Sequence, residues 1–263
     1  MVISSTYKVW VIMAKNSLQN KLLSPSSSII FILGKLFNYV FSVLIIYSIF
    51  NQVSTIKNFT LPQAVIITLV YSLIDSITQF LFRSLYSFRP ILLKGDFDLD
   101  LLKPLPSFFR PMLSGPDFLD VPMIILQIVA LFFFLTKFSL VPSPITLLLF
   151  LLISTNGIIL AFSLHLIIAA FSIITTEIDS LVMIYRSLSR AAVVPTDIYN
   201  NFFRTILSYV IPITVIFTLP AKAILNLLSF NGIVYSTIFT FTFLLFSLYF
   251  WKFSLRRYTS ASS

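Results

Sequence analysis

ITLLLFLLISTNGIILAFSLHLIIAAFSI, residues 145–173, contains no aspartate, glutamate, lysine or arginine. About 20 mainly apolar residues suffice for a helix to cross a bilayer, so this stretch reads as a membrane span. The rest of the 263-residue chain agrees: 58% is hydrophobic and 10% charged, against roughly 45–50% and 25% in soluble domains. Mean hydropathy is +0.99, and 29 residues are Phe. The expected fold class is an all-α membrane protein, read as a single domain over 1–263 with no internal repeat.

Working outward, apolar runs at 118–136, 61–82 and 28–50 give three earlier spans, and 233–251 gives the last. Residues 174–232 leave two choices for the fifth of six spans. Hydropathy favours 205–221, but Pro212 and Pro220 punctuate it. The stretch 177–194 is an uninterrupted helical pattern carrying Arg186 and Arg190. At the N-terminus, within 1–27, residues 5–23 place Tyr7, Val11, Ala14, Leu18 and Leu22 on one face and Lys8, Lys15 and Gln19 on another. That pattern predicts an interfacial helix, ended by Ser24-Pro25-Ser26. No compact apolar core precedes a small-residue cleavage site, so no signal peptide is expected.

The net charge of +9 is distributed as basic loops of a membrane protein, and no nucleic-acid partner is expected. Eleven Lys and Arg residues fall on the side of the termini and the 83–117 loop, and Lys57, Lys137 and Lys222 fall on the other. The positive-inside rule puts both termini and that loop in the cytoplasm. With no cysteine and one histidine, thiolate chemistry is excluded. The chain also lacks a P-loop, an H-E-x-x-H pair and a G-x-S-x-G elbow, so no catalytic residue, metal or cofactor of its own is assigned.

Some charges fall at membrane depth, where they mark functional or paired positions. Lys35 and Asp75 lie at equal depth on consecutive antiparallel spans, which predicts an ion pair or an ion relay. His165 is expected to be buried and hydrogen-bonded to a neighbouring helix. Asp179, Met183, Arg186 and Arg190 form one stripe on the 177–194 helix, facing a pathway or another subunit. The two arginines could attract an anionic headgroup or substrate.

The other concentration of charge is LLKGDFDLDLLKP, residues 92–104. A helix over 96–103 would put Phe97 and Leu101 on one face and Asp96 and Asp100 on another. Its acids near the amino end suit the helix dipole. Gly95 would give a tight entry, and Pro104 an end.

Three segments together resemble the ABC-2 type permeases of about 260 residues and six spans. Gly95, Asp98, Leu101, Leu102, Lys103, Pro104 and Leu105 match G-x-x-D-x-x-L-L-K/R-P-L. Pro195, Ile198, Tyr199, Arg204, Pro212, Pro220 and Ala221 match P-x-x-I-Y-x-x-x-x-R … I-P … L-P-A. Leu255, Arg256, Arg257, Tyr258 and Ser260 match L-R-R-Y-x-S. One departure is Thr196-Asp197, where the family pattern carries Pro-Leu or similar.

The resemblance implies a permease subunit of an ATP-binding cassette exporter in a bacterial cytoplasmic membrane. Its partners would be separate ABC ATPase subunits, which bind the ATP and Mg, a second permease as homodimer or related heterodimer, and membrane lipids. It further implies a coupling helix between spans two and three, here Gly95, Asp96, Phe97, Asp98, Asp100, Leu101, Leu102 and Pro104. It also implies an extracytoplasmic re-entrant segment at 195–230, which favours 177–194 as the fifth span. Two other readings stand beside it: an ion-driven secondary transporter using Asp75 or Glu177, and a membrane enzyme on lipid-linked substrates using Glu177, Asp179 and His165.

Overall fold

A computed structural model describes residues 2–23, 25–50, 52, 55–57 and 59–259. Ser24 of the expected helix break and Ser260 of the C-terminal motif lie outside these residues. The described residues are mostly helical: α1 (Val2–Leu22), α2 (Pro25–Phe50), α3 (Leu61–Phe82), α4 (Phe88–Leu93), α5 (Asp96–Leu101), α6 (Phe109–Leu113), α7 (Val121–Lys137), α8 (Pro144–Thr175), α9 (Asp179–Ser189), α10 (Asn201–Thr205), α11 (Leu219–Ile224) and α12 (Phe230–Leu255). Among the described residues five helices are long and apolar enough to cross a membrane, or six when a bent pair over 201–224 counts as one.

Local chemistry sets the helix ends. The Gln63 side chain accepts from the Thr60 N–H at 3.0 Å, and Pro62 falls where its missing N–H costs nothing. Ser143 and Ser229 cap α8 and α12 by accepting from the N–H groups of Thr146 and Gly232, both at 3.2 Å. α12 extends three residues before and four after the expected 233–251 span, α3 keeps the expected bounds, and α7 begins at Val121 after a 3-10 turn over Phe118–Asp120.

α3 and α8 form the centre, and α7, α11 and α12 pack around them. Gly157 of α8 is essential to this packing. A Cβ there would lie 2.6 Å from the Ile216 carbonyl oxygen, so only glycine admits the neighbouring backbone. The second limb of the bent pair, Thr214–Ile224, is thus inserted against α8, with Phe217 buried beside Tyr71 at 5.0 Å between ring centroids.

The bend is 83° and falls at 211–213, where Pro212 removes a helical donor. Pro220, by contrast, does not break its limb. A wider i→i+5 turn over Thr214–Thr218 leads into it, and Pro220 sits in the first turn of α11. The first limb, Asn201–Val210, is outermost, with Phe202, Tyr209 and Val210 exposed. The departing dipeptide also has its place. The hydroxyls of Thr196 and Thr214 lie 3.1 Å apart, and Asp197 accepts from Lys222 at 2.8 Å, tying the turn before the first limb to the second.

The stretch 177–194 is helical from Asp179 to Val193, α-helical to Ser189 and 3-10 beyond. At 1.5–2.0 Å per residue this gives roughly 25 Å, short of the ~30 Å hydrocarbon thickness.

Candidate functional site

One end of the bundle gathers the 83–120 segment, α1, the end of α8 and the end of α12. Contacts across it are specific: Arg83 with Asp117 at 2.8 Å, Arg89 with Glu177 at 3.2 Å and Asp179 at 3.1 Å, and Phe97 against Trp251.

The 95–105 stretch forms a short projection. Gly95 has φ 76°, a left-handed conformation that glycine takes without strain, and α5 begins at the next residue. The helix ends at Leu101, before Pro104, because the chain turns at Lys103, whose N–H reaches the Asp100 carbonyl at 3.2 Å. Its faces differ from the expected ones. Phe97 is fully buried, but Leu101 is 39% exposed; Asp96 is exposed, but Asp100 is 5% exposed. One turn of separation does not give one environment here, because the projection is only six residues long and each residue meets different neighbours.

Asp100 belongs to the structure of the projection. It accepts from Lys103 at 2.8 Å and from Arg110 at 2.6 Å. Phe97 anchors it in an aromatic cluster, with Phe88 at 5.2 Å, Tyr258 at 5.3 Å and Trp251 at 6.3 Å. The Trp251 indole N–H donates to Ser107 at 2.8 Å. Burial, together with the facing Asp98 carboxylate, pushes the Tyr258 hydroxyl up to about 12. The projection is thereby locked to the end of α12 as well as to the helices before it. Nothing in the spacing of 92–104 pointed to Trp251 or Tyr258, which are about 150 residues away. What it presents outward is Leu99, 61% exposed, and Leu102, 83% exposed, beside Asp96.

The intramembrane charges pair differently from expectation. Lys35 bonds Asp120, and Asp75 accepts from Arg186 at 3.2 Å. Equal depth fixes height along two helices but not the direction each side chain faces, and Asp120 at the start of α7 lies nearer the Lys35 face. Asp120 is fully buried and also meets Arg83 at 3.2 Å; Lys21 reaches Asp117 at 3.7 Å. Asp117 and Asp120 were missed because they fall where hydropathy starts a span. An acid just before Pro122 was the available signal.

The expected stripe divides. Asp179 is exposed and pairs with Arg89, Met183 is 69% exposed, and Arg186 turns inward to Asp75. Arg190 is exposed and has no carboxylate partner among the described residues. His165 is buried as expected, but its Nδ1 meets the Ala161 carbonyl of its own helix at 2.7 Å, with Tyr185 stacked edge-on at 4.8 Å. The i−4 carbonyl is within reach of a helical histidine, so no other helix is needed. Glu177 and Asp179 lie past the end of α8 with Arg89, and do not converge with His165.

Between α2, α3, α7 and 186–194 lies a cleft of about 830 Å³. Lys35, Asp75, Arg83, Arg186 and Arg190 line it, with Tyr39, Tyr71, Gln79 and Gln127. Such a size suits a small-molecule or lipid-headgroup site.

The family model for ABC-2 family transporter proteins matches residues 36–262. Neither the curated proteins nor the solved structures yield a match. The match covers most of the chain, and the protein belongs to the ABC-2 transporter family: it is an integral membrane transport protein.

Proposed function

We propose that this ABC-2 family protein is the permease subunit of an ATP-driven exporter, coupled through the 95–105 projection to separate ATPase subunits that hold the ATP and Mg. The carrying observation is the projection itself. Leu99 and Leu102 are bare at its tip, while Phe97 is clamped between α4 and α12. Exposed leucines on a rigid mount suit a hydrophobic socket on another protein. The clamp on Trp251 gives a push there a route into the last span as well as spans two and three.

In this reading the 83–117 loop and both termini are cytoplasmic, in a bacterial inner membrane, and α1 lies in the interface. Residues 195–230 re-enter from the opposite side, and 177–194 serves as a shortened fifth span, its helix stopping short of the full hydrocarbon thickness. A second permease, identical or related, completes the path against the bare faces of α2 and α12, where Phe41, Phe241 and Tyr249 are exposed.

The test replaces Leu99 and Leu102 together by serine in the full chain. Both side chains are exposed, so expression and melting should hold. Co-purification of the ATPase and transport-stimulated ATP hydrolysis should fall at least tenfold, the scale of losing a two-residue hydrophobic anchor at an interface. Unchanged capture and coupling would sink the proposal.

A further inference from the structure

The cleft between α2 and 186–194 joins three features. The first is an unbalanced charge. Lys35 and Arg83 are met by Asp120 and Asp117, and Arg186 by Asp75, while Arg190 has no carboxylate among the described residues. Arg190 lies eleven residues beyond Asp179, roughly 16 Å along the helix axis and so near half of the ~30 Å hydrocarbon thickness. A guanidinium there is costly unless an anion or water meets it.

The second feature is a pair of buried amides, each with one atom left unpaired among the described residues. Gln79 is 1% exposed and its Nε2 has no acceptor among the described residues; Gln127 is 3% exposed and its Oε1 has no donor among them. Both line the cleft. Leaving such buried groups unmatched is unfavourable. The third feature is an apolar rim. Ile45, Ile49, Val193 and Val194 border the same space, and Ile45 and Ile49 are 56% and 40% exposed, continuous with the bare face of α2.

We infer that this cleft binds an anionic amphiphile, with a phosphate-type headgroup against Arg190 and between Gln79 and Gln127, and its acyl chain leaving along the Ile45/Ile49 rim. The anion supplies the missing counter-charge, its oxygens accept from the Gln79 amide, and a headgroup hydroxyl donates to Gln127. The apolar rim excludes a purely ionic ligand as the best fit. As a cargo class this rests on the transport role proposed above, whereas the binding itself is independent of any ATPase.

The experiment titrates the purified full chain in detergent with phosphatidic acid, with phosphatidylcholine of the same acyl chains, and with inorganic phosphate, and counts bound lipid by native mass spectrometry. Phosphatidic acid should bind roughly tenfold more tightly than phosphatidylcholine, the scale of one partly desolvated charge pair. Arg190→Gln should abolish the preference, and Gln127→Leu should weaken phosphatidic acid binding without restoring phosphatidylcholine. Equal binding of the two lipids, or a preference that survives Arg190→Gln, overturns the inference. So does full competition by inorganic phosphate at the same concentration, which would mark a free-anion site. A dimer signal that falls with Arg190→Gln, without lipid preference, would mean that a second copy fills the cleft. Loss of lipid preference with ATPase coupling intact would spare the permease reading, and the converse would spare this one.

Discussion

α8 is wrapped by the rest of the chain, and α2 is nearly bare. Fourteen residues of α8 are buried, against Tyr39 and Ile46 alone in α2. α8 owes its position to small residues, Gly157, Ala161, Ala169 and Ala170, that let other backbones close in. In a bilayer, where lipid is as apolar as leucine, such close approach is what holds helices together. α2 has few such contacts and is tied instead by Lys35 to Asp120, with the Lys35 ammonium also 5.1 Å from the Phe31 ring centroid. α8, outside the cleft, is thus fixed by packing, while the cleft's α2 wall hangs on a charge pair. The element that can move at least cost is the latter.

The largest expected effect comes from cutting that tie. Asp120→Asn leaves Lys35 and Arg83 facing a neutral amide in a buried place, and breaking such a pair costs about 3–5 kcal/mol. Melting of the detergent-purified protein should drop accordingly. The double change Lys35→Met with Asp120→Leu should recover part of the loss, because no Lys35 charge is then stranded. If Asp120→Asn melts like the parent, α2 is held by something other than this pair.

That tie also shows what the sequence could and could not reveal. Apolar runs marked the long helices to within a few residues, because lipid demands an unbroken stretch and capping residues sit at its ends. Gly95 and the departing Asp197 were visible as unusual residues, and both have structural work: one starts the projection and the other meets Lys222. Partnerships across the bundle were not legible. Lys35 with Asp75 was as consistent with depth as Lys35 with Asp120, and only azimuthal packing separates them. Phe97 stood out as apolar among acids, but its clamp on Trp251 and Tyr258 depends on how the last span returns to the same end.

A second substitution tests the packed side of the comparison. Gly157→Ala forces a Cβ into the Ile216 backbone, and overpacking of this kind costs about 1–3 kcal/mol. Gly34→Ala, on the bare helix, meets nothing within 4 Å. It should leave melting unchanged or raise it slightly, since alanine is the better helix former. Equal effects at the two glycines would mean that α8 and the 214–218 turn are not in intimate contact in the membrane.

The smallest effect sharpens what the charge pair of α2 owes to burial. Arg89 meets Glu177 and Asp179 at distances as good as most of the cleft's pairs, but its side chain is 37% exposed and its partners are 54% and 63% exposed. Water and salt screen such pairs, and typical exposed ones contribute about 0–1 kcal/mol. Arg89→Gln should therefore shift melting little at low salt and not at all at high salt. Asp120→Asn should stay costly in both, since Asp120 is inaccessible to the ions that do the screening. A salt-independent loss at Arg89 would place the α8–α9 junction in a drier setting than its exposure indicates, and would move the boundary between lipid and water to include it.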